Sequence, residues 1–334
     1  MSERYFITGV GAVSPAGWSA SDLAAATGGA GSSCSGDVPD PPPALAKSLR
    51  SARLRRASGL SRFLLAACRE AVGARWGADV PASGVDVLAA IYNGNVSHTV
   101  AFYQGVLDDP RQASPILFPE TVFNAPASHI AATFAGDGDH LTLLGDSATF
   151  LVALARAITR LQSGGAQAVL VAGAEELHPV VERALRTFDS TARLSAGAAA
   201  VVVERARRRP HPAAAEVLAI SDVQRYAGHS PQAIAESIGA SRRQLARYAG
   251  DGGALLHGLC GLRLNAAAER RAWSDWPGRR HDLAARLGWA PGAAGGWQVV
   301  AACRLLAGPE PPPSVTISAD GDAFGALGAV LGGA

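Results

Sequence analysis

The stretch His140 to Leu154, HLTLLGDSATFLVAL, passes from a short apolar run through Gly145, Asp146 and Ser147 into a segment with apolar residues at helical spacing. A strand that turns sharply into a helix is a place where enzymes hold a nucleophile, and Ser147 is the candidate here. Serine is a weak nucleophile at its ordinary pKa and needs a positioned general base. Asp146 adds negative charge beside it and, as a sequence neighbour, is expected to point elsewhere. The run from Gly145 to Thr149 misses the second glycine of a Gly-x-Ser-x-Gly elbow, because Thr149 stands in its place. A hydroxyl at a helix start is also a common cap, and that alternative stays open for Ser147. His140, ahead of the strand, reads as a surface residue rather than a ligand.

The elements that must position these residues alternate between strands and helices. RYFITGVGAVSPAG reads as a buried strand, Tyr5 to Val10, followed by a glycine-rich turn. A dinucleotide fingerprint fails there because Ser14 holds the third glycine position. PDPPPALAKS reads as a polar, proline-rich connection, and LRSARLRRASGLSRFLLAACREAVGARW as a helix. VDVLAAIYN is a strand; FPETVFNAPASHIAATFAG is a loop and then a helix, with Asn124 and Pro126 near its start. AQAVLVAGAEEL is apolar throughout, as in a sheet covered on both faces. GAAAVVVERA and AAEVLAISDV read as neighbouring strands. After Gly228 come a helical SPQAIAESIGASRRQLARYAG, the strand and turn GALLHGLCG, the helix AAGGWQVVAACRLLAG and two final strands. The pattern indicates a layered α/β fold.

With 334 residues, 48% hydrophobic and 17% charged, the chain has ample material for one large domain or two tightly packed ones. A net charge of +2 gives no footing for a nucleic-acid partner. Arginine supplies nearly all the positive charge, since Lys47 is the only lysine. Cys34, Cys68, Cys260 and Cys303 are scattered and form no Cys-x-x-Cys pair, so neither a metal site nor a disulfide framework is expected. No phosphate loop is present, and no cofactor is expected. Gly and Pro interrupt the N-terminal apolar run, so a signal peptide is not expected, and a cytoplasmic location is.

Taken together, these stretches resemble the β-ketoacyl synthase family, the condensing enzymes with the thiolase fold. ITGVGAVSPAG is similar to that family's opening strand and turn, and FNAPASHIAATFAGDGDHLTL with LVALARAITRLQSGGAQAVLVAGAEE to the segments flanking its active-site cysteine. TFDSTARLSAGAAAVVVERA resembles a shortened middle region; LLHGLCG and LGWAPGAAGGWQVVAACRLL resemble the two histidine motifs, and ADGDAFGALGAVLG the closing turn. The resemblance implies a thiolase-like layered α-β-α-β-α fold with two pseudo-duplicated halves, residues 1–209 and 210–334, forming one integrated unit.

It also implies where the machinery should be. The nucleophilic cysteine falls on Ser147 and the small residue before it on Asp146. The first histidine is kept as His257, the second is replaced by Trp289, and the lysine ahead of it falls on Ala284. A Gly-Glu-Gly has become Ser195, Ala196 and Gly197, and Asp322 replaces the gating phenylalanine, while Phe324 and Gly325 remain. Asp146, Asp322, Phe324 and Asn124 are thus assigned to the pocket and its gate.

A helix N-terminus activates a thiol whose pKa starts near about 8.5, but the same shift leaves a serine hydroxyl protonated. Decarboxylative condensation needs two donors on the enolate oxygen, and losing one costs roughly 3 kcal/mol. Trp289 is not a geometric substitute for histidine. The resulting expectation is a non-condensing, chain-length-factor-like subunit that pairs with an active ketosynthase, or with itself, and shapes the acyl tunnel. An acyl carrier protein is the expected acidic partner; Arg50, Arg53, Arg55 and Arg56 read first as a solvated helix face, with contact to that partner by the arginines from Arg50 to Arg62 as the alternative. The alternatives are an acyltransferase or hydrolase using Ser147 with His257, or a degenerate paralogue. Trp289 is expected to fill the cavity, His257 to be retained for packing, and Asp322 to lie in a solvated loop. Apolar strand surfaces, including that of AQAVLVAGAEEL, are expected at the interface.

Overall fold

The computed structural model describes residues 3–28, 33–50, 54–77, 81, 84–135, 137–207, 209–210 and 212–334. In chain order the strands are β1 (Arg4–Val13), β2 (Val85–Ile91), β3 (His140–Leu144), β4 (Ala168–Glu175), β5 (Gly197–Ala206), β6 (Ala215–Ile220), β7 (Gln224–Arg225), β8 (Ala254–His257), β9 (Arg280–Asp282), β10 (Ser314–Asp320) and β11 (Gly325–Gly332). They lie in the order β3-β2-β4-β5-β1-β6-β11-β10-β8-β9, with β7 added against β11.

That order contains one pattern twice. In the first half, β2 runs parallel to β3 and β4, and β4-β5-β1 continue antiparallel. In the second, β8 runs parallel to β9 and β10, and β10-β11-β6 continue antiparallel. The two five-stranded halves join where Phe6 and Ile7 pair with Glu216 and Ala215. The duplication is therefore one of topology, without a repeat in the residues. GAAAVVVERA and AAEVLAISDV are not paired neighbours, because β1 lies between β5 and β6.

Apolar side chains fix the layering. Helix Gly59–Trp76 sets Leu60, Leu64 and Cys68 against Val87, Leu170 and Val202 on the outer face of the first sheet. Gly9 and Gly11 let it approach: a Cβ on either would stand 2.1 Å from a carbonyl oxygen of Ala71 or Ala67. Helices Thr149–Gln162 and Ala294–Leu306 fill the space between the sheets, where Phe150, Leu154 and Trp297 join Val171 and Ile317 in one core. Helices Pro231–Leu245 and Arg263–Ala272 cover the far face of the second sheet. The result is the expected α-β-α-β-α sandwich.

Two local readings change. The long helix expected from residue 49 starts at Gly59 instead, where the Ser58 side chain accepts from Ser61 N–H, and Pro43–Leu49 forms a separate short helix. AQAVLVAGAEEL offers no interface, since β4 is buried along its whole length between β2 and β5. The exposed edge of the first sheet is β3. No helix among the described residues is long and apolar enough to cross a membrane. Arg50, Arg55, Arg56 and Arg62 are exposed, and Arg53 lies outside the described residues.

Candidate functional site

Polar residues gather where the strands end. Tyr92 follows β2, Ser147 follows β3, Glu175 closes β4, His257 closes β8 and Asp320 closes β10. The carboxyl ends of parallel strands are where α/β proteins build their sites.

Ser147 is only 1% exposed. Its Oγ accepts a hydrogen bond from the Trp289 indole Nε1–H at 3.0 Å, and its backbone N–H donates to Asp322 Oδ1 at 2.9 Å. The cap of the following helix is not this serine. Asp146 Oδ1 accepts from Ala148 N–H at 3.0 Å, and its Oδ2 accepts from Phe324 N–H, also at 3.0 Å. The Asp146 carboxyl does point away from the hydroxyl. Burial pushes its pKa up, and the neighbouring Asp322 charge adds to that against the stabilising backbone donors.

Trp289 is fully buried among Ala192, Leu194 and Cys260. Its backbone is held on both sides, donating to Arg193 O at 2.6 Å and accepting from Ser195 N–H at 2.9 Å. Ser195 Oγ in turn donates to Leu287 O at 2.5 Å, so this segment braces the tryptophan. Gly261 is needed beneath it, because a Cβ there would meet Trp289 Cβ at 2.4 Å.

Asp322 is no solvated-loop residue. It takes the Ser147 amide on one oxygen and the Tyr92 hydroxyl, at 2.5 Å, on the other. Burial, with the Asp322 charge, raises the Tyr92 pKa, which keeps the phenol a donor. Two other expected site residues lie elsewhere. The Phe324 ring is 67% exposed, so only its backbone reaches the site. Asn124 is exposed at the start of helix Ala125–Ile130, where its carbonyl accepts from Ser128.

His257 faces a separate cavity of ≈ 200 Å³, whose walls include Cys260, Glu269, Arg193, Arg263 and Ala284. Ser147 is not on those walls. His257 Nδ1 stands 3.8 Å from Glu269 Oε2. Burial alone lowers the His257 pKa, but Glu269 and then Asp282 outweigh it, and the net shift is upward. Glu269 is itself tied down, accepting from Gly258 N–H at 2.8 Å and Ser318 Oγ–H at 2.6 Å. This imidazole is held beside a carboxylate rather than packed as an apolar filler. Among the described residues, no group of three or more His, Cys, Asp or Glu is placed to hold a metal.

Sequence reasoning passed over Tyr92, Glu175, Glu269 and Asp320. The signal was present for three of them, as polar residues ending apolar strands. Glu269 had only its burial on an otherwise polar helix to mark it, which the sequence does not display.

The profile of the 3-oxoacyl-[acyl-carrier-protein] synthase III family matches residues 143–221, the segment that holds Ser147. No curated protein matches significantly in sequence. Among solved structures, the ishigamide ketosynthase/chain length factor superposes with a TM-score of 0.82 at 20% identity, covering 98% of this chain and 99% of that one. A type II polyketide synthase acyl-carrier protein in complex with its ketosynthase bound to the hexaketide gives 0.81 at 16%, with full coverage of both chains. A β-ketoacyl synthase from Burkholderia phymatum STM815 gives 0.76 at 14%, again over both full lengths. The chain has the thiolase-like fold of the ketosynthases.

Proposed function

We propose that this chain is a non-condensing, ketosynthase-like subunit of the chain-length-factor kind. It pairs with an active ketosynthase and helps shape the acyl tunnel in polyketide or fatty-acid-like biosynthesis. The observation that carries the reading is the Trp289 indole on Ser147 Oγ, which ties up the hydroxyl in a buried, braced contact. The one histidine near the site faces another cavity. Serine chemistry needs a base on that hydroxyl, and the geometry supplies a donor instead.

Support for the partner comes from what is left uncovered. Helix Val96–Asp108, VSHTVAFYQGVLD, is apolar in sequence yet buries none of its residues. Tyr103, Leu107, Phe118 and Phe123 are exposed in the same stretch of chain, and Leu141 and Leu144 on β3 are about half exposed. β3 is hydrogen-bonded on one side only. Exposed apolar side chains and an open strand edge each mark an interaction surface. The carrier protein is assigned to the complex as the source of the acyl group, with Arg50, Arg55, Arg56 and Arg62 as exposed cations.

The test is co-expression with a ketosynthase encoded beside the gene, followed by intact-mass analysis after exposure to acyl-carrier-protein thioesters. A stable complex acylated only on the partner's cysteine, and unchanged by Ser147→Ala, is expected. An adduct on this chain that disappears in Ser147→Ala overturns the reading in favour of an acyltransferase. Leu141→Arg is expected to weaken the complex about 30-fold or more, the equivalent of losing an interface hot spot of ~2 kcal/mol.

A further inference from the structure

Two loops meet at Ser147 and exchange hydrogen bonds. From the first, Ser147 N–H donates to Asp322 Oδ1; from the second, Phe324 N–H donates to Asp146 Oδ2. Each loop gives a backbone amide and receives one on a carboxylate. Gly321 makes the approach possible, since a Cβ there would stand 2.2 Å from Asp146 Oδ2. Its amide also closes the second loop on itself, donating to Gly325 O at 3.0 Å. Outer contacts hold the arrangement in place. Tyr92 donates to Asp322 Oδ2, and the Tyr226 hydroxyl is shared between Asp320 and the Gly321 carbonyl.

The Ser147 amide has a particular chemical meaning. In acyl transfer to a serine, the tetrahedral oxygen gains negative charge and is held by backbone N–H groups, the nucleophile's own among them. Here that amide already holds a carboxylate oxygen within hydrogen-bond distance. A second anion in the same place would lose the donor and face the Asp322 charge.

We infer that Asp146 and Asp322 form a reciprocal clasp in which Asp322 is a built-in anion on the Ser147 amide, closing the position to any acyl oxyanion. The clasp deepens the non-condensing reading and rests on it, but it is tested without partner or substrate. It accounts for inertness independently of the missing base. Restoring a base alone leaves the site shut, and so does restoring a thiol alone.

The experiment places a titratable reporter at the clasp. Ser147→Cys puts a thiol beside the same amide, and its ionisation is followed by ultraviolet thiolate absorbance against the parent protein. Tyr92, Tyr226, Asp146, Glu175, Asp320, Asp322 and Cys260 are titratable groups near it, and they are common to the parent. Adding Asp322→Asn keeps the shape and removes the charge. The thiol midpoint is expected to fall by about one pH unit or more, a tenfold or greater rise in thiolate fraction on the rising limb, as for removal of a like charge within about 4–6 Å. An unmoved midpoint in a double variant that melts with the single one overturns the clasp. If Asp322→Asn does not fold, Asp322→Ala on the Ser147→Cys background, which also removes the charge from the amide, is read the same way. A complex that forms and behaves as proposed while the midpoint stays fixed would remove the clasp and leave the subunit reading standing.

Discussion

Replacing Ser147 by alanine is expected to destabilise the protein, and the size of the effect follows from one hydrogen bond. In the native structure the Trp289 Nε1–H reaches Ser147 Oγ at 3.0 Å, and both side chains are out of water. Ser147→Ala leaves the indole N–H buried with no acceptor, which costs about 1–3 kcal/mol. Trp289→Phe removes the donor and a few buried ring atoms, at ~2–4 kcal/mol from the lost bond and lost packing together. With both changes, alanine faces phenylalanine and no donor is orphaned. The double variant is therefore expected to be little worse than Trp289→Phe alone, with a coupling energy of about 1–2 kcal/mol. Urea unfolding of the four proteins measures this directly. Additivity within about 0.5 kcal/mol refutes the reasoning. So does a gain in stability from Ser147→Ala, which removal of a costly functional group at a working site commonly brings.

Two further expectations concern buried titratable groups. Burial pushes the Glu175 carboxyl from 4.5 up to about 8, against the Asn93 and Gly292 donors. The native state thus keeps a proton that the unfolded chain releases, and stability falls as pH rises from 4.5 to about 8, by up to about 1.4 kcal/mol per unit. Glu175→Gln is expected to flatten that stretch of the urea-midpoint profile, and parallel wild-type and variant profiles count against it. His257 has the same sign for a base: its raised pKa adds stability below 6.5 that is lost as pH climbs through the folded value. In a proton NMR titration its midpoint is expected above 6.5 and to fall in Glu269→Gln, because burial then meets a weaker opposing charge. A midpoint that does not respond makes Glu269 a bystander.

Alternating apolar strands and amphipathic helices carry their period in the chain, so the element order was legible, and the colinear motifs added the fold. Ser147, His257 and Trp289 stand out in the sequence because each sits in a local motif. What the sequence hid were contacts across long separations. Asp322 reads as a loop aspartate until the second sheet brings it to an amide 175 residues away. Phe324 and Asn124 were carried over by similarity of position, yet the first is largely exposed and the second stands exposed at the start of helix Ala125–Ile130. β4 looked sticky for the reason that it is hidden, namely that both of its faces are covered. The break before Gly59 depends on one serine side chain turning back to its own helix, a choice that periodicity does not register.

The middle layer sets a timetable for synthesis. The first sheet is complete once Ala206 has emerged, but half of what covers its inner face, helix Ala294–Leu306, comes up to 100 residues later, since 306 − 206 = 100. At about 5–20 residues per second on the ribosome, that is a delay of roughly 5–20 s. During that interval Val171 and Val201 have helix Thr149–Gln162 in place but lack the cover of helix Ala294–Leu306. A ribosome stall between residues 206 and 294 is expected to leave the product stranded with an open flank, the kind of exposed apolar surface chaperones bind.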